Sequence, residues 1–416
     1  MKEKAVLAFS GGLDTSYCTM YLTQEKGLEI HTAIVNTGGF TESELEFIHH
    51  RALQLGATSH VAINVEDEYY QKCIRYMIYG NMLKNGTYPY SVSSERTFQA
   101  LAIARYAVET GAKYIVHGST GAGNDQVRFD LVFNIIAPGI EVLTPIRDEQ
   151  LSREAEIEYL QKNGFEADWT KLEYSINKGL WGTSVGGKET LSSHLSLPDA
   201  AYPSQLTNTD PELLELAFHK GEISHVNGKS MSNAAAIREI ESIASAFAIG
   251  RDMHVGDTII GIKGRVGFEA AAPLIIIKAH HSLEKHVLTK WQLYWKEQLS
   301  NWYGMFLHEG QYLDPVMRNI EKFLYDSQET VNGKVFVKLH PYRFTIEGIE
   351  SGYDLMNAGF GQYGEMNNGW SADDVKGFTQ ILGNQLKIHR FVQDKNRKVP
   401  EAVSEQETIS TLPNLN

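Results

Sequence analysis

Ser10, Gly11, Gly12, Leu13, Asp14, Thr15 and Ser16 follow an apolar run at 5–9 that reads as a buried strand, and they open into a helical pattern over 17–22. A strand, a tight glycine turn and a helix N-terminus together bind anions. The first amides of the helix lack partners, the helix dipole adds positive charge there, and Gly11 and Gly12 put no Cβ in the way. The GxxxxGK[ST] spacing and its lysine are absent, so this is not a Walker A loop. A carboxylate such as Asp14 among phosphates is repulsive unless a divalent cation such as Mg2+ lies between them. Two glycines alone would make an ordinary tight connection; the whole string asks for more.

A second loop carries the same kind of chemistry. Gly118, Ser119, Thr120, Gly121, Ala122, Gly123, Asn124, Asp125, Gln126, Val127 and Arg128 come straight after a strand-like run at 114–117. Three glycines give a pliable backbone, interleaved with hydroxyl, amide, carboxylate and guanidinium groups. Asn124 or Asp125 as a helix N-cap would account for one of these residues but not for the string.

The elements that must hold these loops are legible. Strand-like runs at 5–9, 28–35, 61–65, 114–117 and 141–144 alternate with helical patterns at 44–55, stopped by Gly56, and 97–109, stopped by Gly111. Such alternation predicts an α/β fold, an N-terminal parallel sheet with flanking helices. Ligands then sit beyond the carboxyl ends of the strands, where the loops 10–16, 36–39 and 118–128 fall. From about residue 168 the pattern changes to an α+β second domain. Residues 178–187 read as loop, those at 259–262, 274–277, 335–339 and 343–346 as strands, and those at 238–248 and 291–302 as helices. Trp291, Tyr294, Trp295, Trp302, Tyr303 and Phe306 recur at helical spacing, which suits a core or a subunit interface. The expected division is 1–167, 168–390 and a tail at 391–416. That tail is polar, holds Pro400 and Pro413, and is expected to be flexible or docked on a partner.

Composition narrows the function. The chain has 416 residues, room for about two or three domains. A net charge of −13 disfavours a nucleic-acid partner held through its phosphates. Cys18 and Cys73 are the only cysteines and form no CxxC pair, which excludes a disulfide framework and a cysteine-rich zinc site and fits a reducing compartment. No signal-peptide pattern opens the chain, and no apolar run approaches the ~18 residues of a membrane span. The expected location is cytoplasmic.

Two resemblances bear on the chemistry of these loops. The Ser-Gly-Gly-x-Asp-[Ser/Thr] pattern resembles the pyrophosphate loop of enzymes that split ATP into AMP and pyrophosphate. Residues 8–16 and 117–129, with Tyr88 to Ser93, Tyr174 to Ser184, Gly261 to Glu269, Ser327 to Glu329 and Val331 to Val335, resemble argininosuccinate synthases over roughly residues 4 to 390. The resemblance implies an adenine nucleotide α-hydrolase type of parallel sheet plus a synthetase domain. It implies a ligase of arginine biosynthesis that joins citrulline and aspartate through a citrullyl-adenylate, with ATP and Mg2+ as cosubstrate and no prosthetic group. Partners would be small molecules, with no nucleic acid and no membrane, in a homotetramer. Carried over residue by residue, Ala8, Phe9, Ser10, Gly11, Gly12, Leu13, Asp14, Thr15, Ser16, Val35 and Gly118 fall at ATP positions. Thr120, Asn124 and Asp125 fall at aspartate positions, and Tyr88, Ser93, Asn124, Arg128, Ser175 and Ser184 at citrulline positions. No side-chain cluster suggests a resident metal.

Three positions depart from the family pattern. Ala122 stands where the family has a lysine; Gly256 and Phe268 stand where it has a glutamate and a tyrosine on the citrulline. A charged hydrogen bond to the α-ammonium group is worth about 1.5–3 kcal/mol, so either another carboxylate, such as Asp257, replaces that glutamate or the ammonium group is absent. An α-N-acylated citrulline, lying in the space left by Gly256, satisfies the second case. Two other readings remain open: a tRNA-thiolating enzyme, which would need Cys18 or Cys73 at the site, and a nucleotide sensor that has lost the chemistry.

Overall fold

The structure is a computed structural model that describes residues 2–167, 174–357, 359, 364 and 369–397. Five short strands, β1 (Lys4–Ala8), β2 (Glu29–Asn36), β3 (Ser59–Asn64), β4 (Tyr114–Val116) and β5 (Glu141–Leu143), pair in parallel in the order β3-β2-β1-β4-β5. Ala5, Val6 and Leu7 of β1 are fully buried, as a central parallel strand with helices on both faces must be. The order reverses at β1, so the loops after β1 and β4 diverge from a crevice between adjacent strands. The α/β expectation holds.

The strands that follow are antiparallel: β6 (Ser175–Gly179), β7 (Gly182–Gly186), β8 (Glu212–His219), β9 (Glu222–Val226), β10 (Lys229–Ser230), β11 (Arg251–Asp257), β12 (Lys263–Glu269), β13 (Gly333–His340) and β14 (Arg343–Glu350). They form a four-stranded sheet β11-β12-β7-β6 and a five-stranded sheet β10-β9-β8-β13-β14. Three sequence expectations fail here. Residues 178–187, read as loop, form the β6–β7 hairpin, whose turn needs Gly182 at φ +104°. Residues 259–262, read as strand, make the turn between β11 and β12, closed by Thr258 N donating to Ile262 O at 2.8 Å. Residues 274–277, also read as strand, lie in the helix Ala271–Val287, and Ile275, Ile276 and Ile277 are all buried there. A helix with core on several sides loses the 3.6-residue stripe that would mark it.

The chain packs as two compact units, Met1–Leu355 and Met356–Asn416. All three sheets belong to the first. In the second, the helices Ala372–Leu382 and Asn384–Arg397 bury none of their residues. The second of them runs past the expected tail boundary, and residues 398–416 lie outside the described residues, as do 168–173 at the expected domain junction. Among the described residues no helix is long and apolar enough to cross a membrane.

Candidate active site

The loop after β1 turns at Gly11, whose φ of +75° suits glycine, and Arg51 Nη1 donates to the Gly11 carbonyl at 2.6 Å. Gly12 caps the helix Leu13–Gln24 with no side-chain hydrogen bond, so the first amides of that helix keep their donors for a ligand. Ser10 Oγ lies 3.3 Å from both Gly12 N and Thr15 Oγ1. The second loop closes over the first at Gly118, where a Cβ would stand 3.2 Å from Asp14 Cβ and 3.3 Å from Thr15 Cγ2. Between them opens a cavity of about 910 Å³.

Ala8, Phe9, Ser10, Gly12, Leu13, Asp14, Thr15, Val35, Gly118, Thr120, Asn124, Asp125, Arg128, Tyr88, Ser93, Ser184 and Gly256 line this one cavity. The structure therefore gathers most of the sequence-derived set. Five members stand outside it. Gly11 lines a neighbouring recess, Ser16 is buried with its hydroxyl unpartnered, Ser175 is exposed at the start of β6, Ala122 is exposed, and Phe268 is fully buried behind the wall.

Asp14 and Glu156, which projects from the helix Arg153–Lys162, are hydrogen-bonded to each other. Burial pushes both carboxyls up, Glu156 to about 8, and for Glu156 the Asp14 charge adds to the effect. Two carboxyls in contact fit a divalent ion arriving with a polyphosphate, which would relieve their repulsion. Among the described residues no group of three or more His, Cys, Asp and Glu gathers to hold an ion alone.

Across the cavity, Asp125 accepts from Arg96 Nε at 2.9 Å and Arg128 Nη1 at 2.8 Å. Burial would raise its carboxyl, but Arg96 and Arg128 outweigh burial and hold it below its ordinary value. Asn124 Oδ1 does not cap its helix; it accepts from Ile259 N at 2.8 Å and ties the second loop to the β11–β12 turn. Tyr88 Oη accepts from Ser91 Oγ and Val92 N, both at 3.0 Å, and its ring stacks on His254 and meets Phe268 edge-on.

Gly256 is not a hole. A Cβ there would lie 2.6 Å from His254 Nε2 and 3.4 Å from Lys84 Cε, so the place of a side chain is already filled. Asp257, offered as a substitute for that glutamate, lines the cavity and pairs its carboxylate with Lys263 at 2.5 Å, with both side chains exposed. Lys84, His254 and His308 line this end, and none was legible as a site residue. His117, also lining the cavity, bonds Asp130 through Nε2 at 2.9 Å and takes Ser119 N on Nδ1 at 3.2 Å, which anchors the start of the second loop. Cys18 and Cys73 are buried, their thiols are pushed well up by burial, and neither lines the cavity.

Known proteins resemble this chain over nearly its whole length. The family model "Arginosuccinate synthase N-terminal HUP domain" matches residues 4–166, and "Arginosuccinate synthase C-terminal domain" matches residues 174–389. Similar relatives named argininosuccinate synthase include one from Dictyoglomus turgidum, 34% identical over 95% of this chain and 99% of its own. Another, from Xanthomonas campestris pv. campestris, is 34% identical over 93% and 98%. A third, from Methanocaldococcus jannaschii, is 33% identical over 85% and 90%. The two models span both halves of the chain and the relatives match nearly all of it, so the chain belongs to the argininosuccinate synthase family of carbon–nitrogen ligases.

Proposed function

We propose that the protein joins a citrulline-type ureido substrate to aspartate in arginine biosynthesis, using ATP with Mg2+. The ureido oxygen attacks the α-phosphorus, the bond to the β-phosphate breaks, and pyrophosphate leaves. The aspartate amine then attacks the isourea carbon, AMP departs with the oxygen, and the amine loses a proton. The observation that carries this is the closure of two polar loops over one cavity, with Gly118 against Asp14 and Thr15.

The reading invokes no covalent intermediate and assigns the rate to positioning and charge. The amides of residues 10–16, with Val35 and Gly118, hold the nucleotide. Asp14 with Glu156 faces the cation that accompanies it, and Arg153 supplies positive charge beside Asp14 where Ala122 supplies none. Thr120, Asn124 and Asp125 hold aspartate. Tyr88, Ser93, Asn124, Arg128 and Ser184 hold the ureido substrate; Ser175, at the start of β6, does not line the cavity with them. The buried thiols weigh against base thiolation.

A second reading concerns the α-nitrogen. Each carboxylate lining the cavity is committed: Asp14 to Glu156, Glu44 to the backbone N and Oγ1 of Thr41, Asp125 to two guanidiniums, and Asp257 to Lys263. An α-ammonium group would find no free counterion, whereas the neutral amide of an α-N-acylcitrulline needs none. The acyl group would lie in the cavity in front of Lys84 and not in the filled space at Gly256. A steady-state assay of pyrophosphate release tests the ligase: turnover should require ATP, aspartate and a ureido substrate together. ATP binding without turnover under any of these conditions would instead leave a nucleotide sensor.

A further inference from the structure

The end of the cavity beyond Gly256 carries positive charge and idle hydrogen-bonding groups. Lys84 Nζ bonds only the Asp257 carbonyl, at 3.3 Å, and no carboxylate among the described residues pairs with it. Burial lowers this ammonium to about 8, with the nearby Arg128 charge adding. Glu309, the other acidic neighbour, accepts from Gln311 and does not line the cavity. His254 is 6% exposed, and its Nε2 has no hydrogen-bond partner. His308 gives its Nδ1 side to Arg128 Nη2 at 3.3 Å, while its buried Nε2 has no well-formed hydrogen bond among the described residues and only the Asp257 backbone interacts weakly with the ring.

Buried polar atoms without partners are uncommon, and each requires an explanation. Two orphaned imidazole nitrogens beside an unpaired ammonium group ask for a ligand rich in acceptors. Both imidazoles are neutral, because burial lowers them, to about 4 in His254 and about 3 in His308, with Lys84 charge contributing in each case. A neutral imidazole can donate from one nitrogen without adding charge, so the net charge this end can match comes from Lys84. The Tyr88 ring and Val266 line the same cavity and offer apolar wall for a few methylene groups. Arg128 already spends Nη1 on Asp125, Nε on the His308 carbonyl and Nη2 on His308 Nδ1, whereas Lys84 has no carboxylate partner among the described residues and is left for one on the substrate.

We propose that the Lys84, His254 and His308 end of the cavity binds a second carboxylate of the ureido substrate, carried by an α-N-acyl group derived from a dicarboxylic acid. This rests on the N-acyl reading above and makes Lys84 the specificity-determining residue of the site. A monocarboxylic acyl group such as acetyl would leave Lys84 and both imidazole nitrogens unsatisfied.

The test uses the full chain with ATP and aspartate and follows pyrophosphate release with citrulline, α-N-acetylcitrulline and α-N-succinylcitrulline. The succinyl compound should exceed the acetyl compound in kcat/KM by about tenfold or more, the usual worth of one charge-assisted hydrogen bond. Lys84→Met should lower kcat/KM at least about tenfold more for the succinyl than for the acetyl compound, and Lys84→Arg should restore part of that difference. Equal use of the two acyl compounds by the unmodified protein overturns the second carboxylate and leaves the acyl reading standing. Preference for free citrulline overturns both. No turnover with any of the three overturns the ligase reading and this inference with it. If Lys84→Met proves unstable, the preference of the unmodified protein decides.

Discussion

A β-carbon at residue 118 would press on Asp14 Cβ and Thr15 Cγ2, so glycine there lets the second loop close on the first. Gly118→Ala should therefore reduce kcat/KM for ATP by about tenfold through misplacement of the loops, with little change in thermal stability. An unchanged KM for ATP would show that the loops need not touch. Glu95 marks a second residue-scale feature. Its carboxyl is 1% exposed, Oε1 has no partner, and burial raises it to about 8 against the pull of Arg96 and Thr37. The folded chain thus keeps a proton that the unfolded chain releases above about pH 4.3. Stability from this group is full below that pH and is lost as pH rises toward 8, at up to about 1.4 kcal/mol per unit. Glu95→Gln has no proton to lose, so its Tm relative to the unmodified protein should rise between pH 5 and 8; a constant difference would contradict the assignment.

At the scale of elements, the site depends on the β6–β7 hairpin lying close on the nucleotide-binding sheet. Glycine at 179 permits it: a Cβ there would overlap Glu95 Oε1, and one at Gly39 would overlap the Lys178 carbonyl. Gly179→Ala should lower stability by about 1–3 kcal/mol, and Glu95→Ala in the same chain should recover part of the loss, since the two changes share one contact. Additive losses in thermal unfolding would place the strain elsewhere. The hairpin was not legible in the sequence because glycines and serines hide a two-residue period. The parallel strands were legible because apolar runs ending in glycine turns leave few other structures. The two polar loops were legible because their chemistry is local. Lys84, His254 and His308 were not, since each looks ordinary among its neighbours and only the fold brings them together across more than 200 residues.

For the whole molecule, the described surface carries more apolar area than a lone chain needs. Trp291, Tyr294, Trp295 and Trp302 are each more than half exposed on the helix Lys290–His308, while Tyr303 alone of that cluster is fully buried. In the second unit Phe378, Ile381, Leu386 and Phe391 are exposed. Patches of this kind mark association surfaces and suit the homotetramer that the family resemblance implies. Ile381→Glu with Leu386→Glu should lower the mass measured by light scattering while the sheets' circular dichroism stays unchanged; an unaltered mass would remove these helices from any interface.

The central claim is an adenylate formed on the ureido oxygen, and isotope transfer tests it most directly. A ureido substrate labelled with ¹⁸O, turned over with ATP and aspartate, should deliver the label to the phosphate of AMP, because the second step breaks the carbon–oxygen bond. Label found in pyrophosphate or water, with none in AMP, would contradict the account.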